Sequence, residues 1–287
     1  MLNGYPTAAR ASASARPLGE RHRQLALDFL SVRPIHNVIV AGWIRDHGVE
    51  SPRHRGTFYG YWNNYGILEG VALIGQICMF ETRSDAALLA FAEQARRESS
   101  VRLLFAEDLL LEKFWRSYKR PNQQPRVRCR ELLFEKVADP VSTKDLGGEL
   151  RKATPQELRQ VAAAHAQMMV EETGENPLDK DSDGFHKRCA TRILEEKVWV
   201  MIKEGELLFK ADVVAETAEV VYVEGFWVNP PYRRRGYGEH CWKALTRGLL
   251  IDKLSMCGFV NDENLAAKAL YDKVGCGVKA IFDKILL

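Results

Sequence analysis

The chain has 287 residues, 46% of them hydrophobic and 28% charged, with 41 basic against 38 acidic residues and a formal net charge of +3. This is ordinary globular composition with length for two domains. It is too close to neutral for overall charge to imply a nucleic-acid or membrane partner. No apolar run approaches the roughly 20 residues that cross a bilayer. Six cysteines (Cys78, Cys129, Cys189, Cys241, Cys257, Cys276) show no CxxC spacing and no histidine cluster at metal-ligand spacing. They read as reduced thiols of a cytoplasmic protein, with no metal site.

Residues 1–18 contain no acidic residue and are rich in Ala, Ser and Arg. That resembles a transit peptide in composition, but a disordered tail is the reading adopted. Helices are expected over 21–32 and 36–48, the second with Ile39, Trp43 and Ile44 on one face and Gly48 as its stop. Strands follow at 57–62, 66–75 and 76–81, a helix at 86–98, then strand 101–106, helix 107–120 and strand 127–137. Basic residues with interleaved aromatics lie between Lys113 and Arg130. Their helix-then-strand placement favours a solvated face over a nucleic-acid surface.

Segment 137–149 has Pro, Ser and two Gly without apolar periodicity, so the domain boundary is placed there, dividing 19–142 from 143–287. The second half opens with a strand at 150–154. Thr154, Pro155 and Glu157 then form a helix start of capping-box type. That helix is expected to stop at Gly174, with a polar loop leading to a second helix at 185–197. Strands 198–203, 206–216 and 219–229 follow, then a helix near 237–250, strand 254–260, helix 264–274 and strand 278–287. The order β-α-α-β-β-β-α-β-α-β is a mixed α/β fold with at least one parallel pairing.

The chemistry concentrates in VNPPYRRRGYGEHCW, residues 228–242. Pro230 and Pro231 end a long strand, and the chain turns through Arg233, Arg234, Arg235, Gly236, Tyr237 and Gly238 into a helix. Such a turn offers unpaired backbone N–H groups and the positive end of a helix dipole, which suit a phosphate. The pattern is neither a Walker loop nor GxGxxG.

Val228-x-Pro230-x-x-Arg233-x-x-Gly236-x-Gly238 resembles the acyl-CoA pyrophosphate motif of the GNAT superfamily of N-acetyltransferases. Downstream, Asn264-x-x-Ala267-x-x-Leu270-Tyr271-x-Lys273-x-Gly275 is similar to that superfamily's Asn-x-x-Ala-x-x-Leu-Tyr-x-Lys-x-Gly helix, with Cys276 where an aromatic residue usually follows. The resemblance covers about 143–287 and implies the GNAT fold. The whole chain also resembles two-domain bacterial GNAT proteins whose first half is a divergent GNAT-like domain without the CoA motif.

The resemblance implies acetyl-CoA as cosubstrate, held at Arg233–Gly238 and paired along Phe226, Trp227 and Val228, with Asn264 and Lys273 in the second motif. It implies Tyr271 as general acid for the departing thiolate and the Val228 N–H as oxyanion donor. Glu224, two residues before Phe226, is expected on the same strand face as Phe226 and Val228 and is the candidate base, or else a carboxylate paired with an arginine. Gly225 marks either a bulge or a weak spot in the strand. Glu171 and Glu172, ending the first helix of this half, border the acceptor side or form a solvated helix end. His165 and His240 are read as packed or helical residues without a role. The implied activity moves acetyl to a primary amine of a small molecule, peptide or protein. A non-catalytic acyl-CoA sensor is the alternative, and the oligomeric state is left open.

Overall fold

The computed structural model of the chain describes residues 14–137 and 149–287. It forms two compact units, one reaching Glu131 and including Ala280–Leu287, the other spanning Leu132–Lys279. The division therefore differs from the expected 142/143 boundary. Most of the linker on which that expectation rested, residues 138–148, lies outside the described residues, as do residues 1–13.

Unit 1 contains strands β1 (Ser14–Pro17), β2 (Gly56–Trp62), β3 (Leu68–Gly75), β4 (Ile77–Thr82) and β5 (Leu103–Glu107), and helices α1 (Arg23–Ser31), α2 (Pro34–His47), α3 (Asp85–Arg97) and α4 (Asp108–Tyr118). The expected tail is corrected at its end. Ser14–Pro17 pair antiparallel with Tyr59–Trp62, Arg16 lies over the Trp62 ring at 4.9 Å, and Leu18 is buried. Ladder bonds and a cation–π contact offset the entropy of ordering this stretch. The apolar faces of α3 and α4 pack on the sheet through Leu88, Phe91, Leu111 and Phe114. Four of the basic residues of 113–130 meet carboxylates there, Arg116 pairing with Glu112 of its own helix. Arg128 and Arg130 bind Asp283, and Lys113 binds Asp85.

Unit 2 holds β7 (Leu150–Lys152), α5 (Leu158–Thr173), α6 (Pro177–Leu194), β8 (Val198–Lys203), β9 (Glu206–Glu216), β10 (Val220–Val228), α7 (Tyr237–Leu249), β11 (Ser255–Asn261) and α8 (Leu265–Lys273). Two long strands change places between the halves. β6 (Val127–Val137), late in the first half, lies beside β11. β12 (Gly277–Leu286), at the end of the second half, pairs antiparallel with β5 in unit 1. Each unit thus has the same strand order, β1-β2-β3-β4-β5-β12 in one and β7-β8-β9-β10-β11-β6 in the other.

The polar loop expected before residue 185 is instead the first turns of α6. Asn176 caps it by accepting from the Leu178 N–H, Pro177 occupies the first helical position, and Asp181 carries a kink (φ −160°, ψ 75°). The capping box at Thr154 forms as expected, with Glu157 accepting from the Thr154 N–H at 2.6 Å. The sheet of unit 2 buries two separate faces. Phe209, Val221, Val223 and Met256 pack against Trp242 and Leu245 of α7 and Tyr271 of α8. Val198, Val200, Leu207 and Trp227 pack against Val161 and Ala164 of α5 and Ile193 of α6.

Candidate active site

β10 is where the ladder of unit 2 loosens. Its parallel pairing with β11 covers only Val220↔Ser255, Val221↔Met256 and Tyr222↔Cys257, although both strands run on. Against β9, Glu224 pairs with Asp212 and Trp227 with Lys210, so three steps on β10 match two on β9. The extra residue is a bulge, and Gly225 takes φ +63° within it. A Cβ at Gly225 would sit 2.9 Å from Asp212 Oδ2 and 3.0 Å from Lys210 Nζ. The bulge alternative for Gly225 is thus the one the structure adopts.

The bulge also resets which side each residue faces. Phe226 packs on Phe209 and Trp242, toward α7, with Val228 on the same cluster. Glu224 faces α6 instead, where its Oε1 lies 3.7 Å from Arg192 Nη2 and its Oε2 accepts from the Tyr222 hydroxyl at 3.4 Å. The expectation that Glu224 shares a face with Phe226 and Val228 is therefore corrected. Strict two-residue alternation holds only in an unbulged strand.

Beyond β10 the chain makes a short turn at Pro230–Tyr232. Arg234 (φ +58°) and Gly236 (φ +87°) then adopt left-handed backbone, and Gly236 caps α7 without a side chain. Left-handed geometry at an arginine is costly and gathers at ligand-holding turns. Arg233 is committed internally. Its Nε donates to the Val228 carbonyl at 2.9 Å and its Nη2 to both oxygens of Glu171 at 3.1 Å. Glu171 is thereby tied to the arginine turn. Arg234 and Arg235 are exposed, with Arg235 6.0 Å from the Tyr232 ring. Tyr237 accepts from Lys203 at 3.0 Å. Glu239, in the first turn of α7, is neutralised by Lys243 (2.8 Å) and Lys273 (2.7 Å), which hold its carboxyl below the usual range. Lys273 thus removes a negative charge that would oppose an anion at this helix end.

Asn229 donates its N–H to the Leu208 carbonyl at 2.9 Å. In the alternation of an antiparallel ladder, the preceding Val228 then directs its N–H away from β9, toward the side of β11. Tyr271 is 6% exposed, its ring 4.6 Å from Trp242 and 5.0 Å from Phe134 of β6. Its hydroxyl lies 3.7 Å from where a Cβ on Gly258 would stand, one residue past the last parallel pair. Burial raises the phenol's pKa, so it keeps its proton at neutral pH. Asn264 caps α8 by accepting from the Ala267 N–H at 3.0 Å.

A feature that sequence reasoning missed lies on the α5/α6 face. Lys210 and Asp212 of β9 are almost fully buried and 2.9 Å apart. Asp212 Oδ2 also receives Arg192 at 3.2 Å, with His165 Nδ1 3.8 Å away. Burial and the nearby Lys210 push the imidazole down to about 4, so His165 is neutral at pH 7. The signal was available: Lys210 and Asp212 stand two apart between the apolar runs 207–209 and 213–215, so both face one covered side.

Among the described residues, no group of three His, Cys, Asp or Glu is placed to hold a metal ion, and no helix is long and apolar enough to cross a membrane. A family model described as "Acetyltransferase (GNAT) family" matches residues 166–276. No curated protein matches the chain. Among solved structures, the chain is similar to a Drosophila protein (TM-score 0.72, 12% identity, covering 96% of this chain and 99% of that one). It is also similar to a GNAT-family acetyltransferase from Colwellia psychrerythraea (TM-score 0.60, 12% identity, 96% and 100% covered). A tandem GNAT protein from the clavulanic acid biosynthesis pathway aligns with TM-score 0.59 and 13% identity over 95% of this chain and 98% of that one. At these identities the solved structures speak for the fold alone. The family match lies on the bulged strand, the glycine-capped turn and the tyrosine helix, so residues 166–276 form a domain of the GNAT acetyltransferase family.

Proposed function

We propose that unit 2 transfers an acetyl group from acetyl-CoA to a primary amine by direct attack. The observation that carries this reading is the divergence of β10 from β11 after Tyr222, with the glycine-capped turn at one end and the Tyr271 hydroxyl at its base. The residues fit the cosubstrate. Gly236 and the first N–H groups of α7 suit a pyrophosphate, with Arg234 and Arg235 adding charge at the rim. The open side of β10 suits the pantetheine amides, as an added strand would.

The amine nitrogen attacks the thioester carbon while the Val228 N–H donates to the carbonyl oxygen and stabilises its developing charge. The C–S bond breaks, and Tyr271 gives its proton to the leaving thiolate. The proton released by the amine leaves through a water to Glu224, and solvent restores the phenol. The products are an N-acetyl amine and CoA. A cytoplasmic setting belongs to this reading.

Calorimetry of CoA binding tests the cradle. Gly236→Ala places a side chain at φ +87°, which costs about 1 kcal/mol or more. The variant is expected to bind CoA at least about tenfold more weakly. Unchanged affinity would refute the assignment of the turn.

A further inference from the structure

On the α5/α6 face of unit 2 lies a cavity of about 60 Å³, and two of its wall residues, Lys210 and Asp212, pair with the β10 residues that flank the bulge. Its polar walls are His165 of α5, Arg188 and Arg192 of α6, and Lys210 and Asp212 of β9, with Phe185 supplying apolar surface. Three cations face one carboxylate, and His165 is neutral. Arg188 reaches the cavity from an exposed position, where it pairs with the equally exposed Asp181 at 3.1 Å.

The buried pair has hydrogen-bonding capacity left over. Asp212 Oδ1 is buried and has no partner among the described residues. Lys210 Nζ donates to Asp212 Oδ2 at 2.9 Å and to the Gly225 carbonyl at 3.3 Å. An ammonium has three N–H bonds, so one remains unpartnered among the described residues. An unmatched acceptor and an unmatched donor thus stand side by side on the wall of one cavity. Leaving such groups unpaired costs roughly 1–3 kcal/mol each, more for charged ones. A water-sized position occupies about 10–15 Å³ on this scale, so the cavity holds roughly four to six non-hydrogen atoms.

The geometry points to this cavity as the acceptor pocket, and to the acceptor as a small primary amine that also carries a carboxylate. The amine N–H bonds go to Asp212 Oδ1, and the carboxylate meets the free N–H of Lys210 and the guanidinium of Arg188. The inference rests on the acyl-transfer reading. Lys210 bonds Gly225, the neighbour of the proposed base Glu224 and three residues from the proposed oxyanion donor Val228. The pocket therefore brings a nucleophile to the bulge, across the sheet from the helices that frame the cradle.

The test is thiol release from saturating acetyl-CoA with matched amines, glycine against methylamine and L-alanine or β-alanine against ethylamine. The carboxylated member of each pair is expected to show at least about tenfold higher kcat/KM. Arg188→Gln changes an exposed side chain and is expected to remove that preference. Asp212→Asn is expected to raise KM for the amine at least about tenfold, with the melting shift induced by acetyl-CoA retained. Should that variant not fold, the matched pairs and Arg188→Gln decide alone. Equal or better use of the plain amines, or activity confined to long polyamines, overturns the pocket assignment and leaves acyl transfer standing. Failure to release thiol with any amine overturns the acyl-transfer reading and the pocket with it.

Discussion

At the scale of single residues, the site depends on a few positions whose conformation or burial differs from that of their neighbours. Gly225 bulges the strand, Gly236 caps a helix it cannot bond with a side chain, and Tyr271 keeps its proton through burial. His165 gives a pH prediction. Its folded pKa, about 4, lies below its ordinary value of 6.5, because burial and Lys210 disfavour the imidazolium. The unfolded chain therefore binds more protons between those values, and stability rises with pH across that window. Falling from pH 7 to 4.5, the protein is expected to lose up to about 3 kcal/mol through this group. Urea unfolding at both pH values checks it: His165→Gln is expected to show a smaller loss than the parent, and an equal loss would contradict the assignment. Arg188, Arg192, Lys210 and Asp212 face the same imidazole and are retained in that comparison.

At the scale of elements, nearly every strand and helix could be read in the sequence, because each long element carries its own period of apolar residues or a clear cap. The exceptions have physical causes. Residues 177–184 contain four charged residues and no apolar face, so their helix is set by the Asn176 cap and by Phe185 beyond it. The bulge at Gly225 turned Glu224 to the opposite side, which alternation alone does not reveal. The exchange of β6 and β12 was also hidden, since a strand's pattern gives its faces but not its neighbours. That exchange has a consequence for the site: Phe134, 3% exposed, comes from the first half of the chain and packs on Tyr271. A fragment of residues 143–279 lacks this strand and leaves the β11 edge bare. It is expected to aggregate or melt without cooperativity, whereas a fragment of residues 127–279 should melt cooperatively. Equal behaviour of the two in thermal unfolding would contradict a structural role for β6.

At the scale of the whole molecule, two units share one strand order but differ at the positions that bear chemistry. Where Gly236 caps α7, Ser84 caps α3, its hydroxyl already accepting from the Ala87 N–H at 3.2 Å. Asp85 adds negative charge to that first turn, which disfavours a phosphate. Seven residues after its cap, α8 carries Tyr271, while α4 carries Phe114, fully buried and stacked on Phe80 at 4.5 Å. The turn at Gly236 and the helix start at Asn264 were legible because a left-handed cap and a side-chain cap each need a particular residue type at a fixed position. The acceptor cavity was not, because its walls come from four elements whose packing no local pattern encodes. One CoA per chain is the stoichiometry expected by calorimetry, and two would show that unit 1 also binds it.

Steady-state thiol release from acetyl-CoA in the presence of amine is the direct test of acyl transfer with Tyr271 as the proposed acid. The parent protein should release CoA in an amine-dependent manner. Tyr271→Phe should lower kcat by roughly 100-fold or more while the KM for acetyl-CoA stays within a few-fold. Thiol release unaffected by that substitution would contradict the role of Tyr271, and its absence from the parent with every amine tried would contradict acyl transfer.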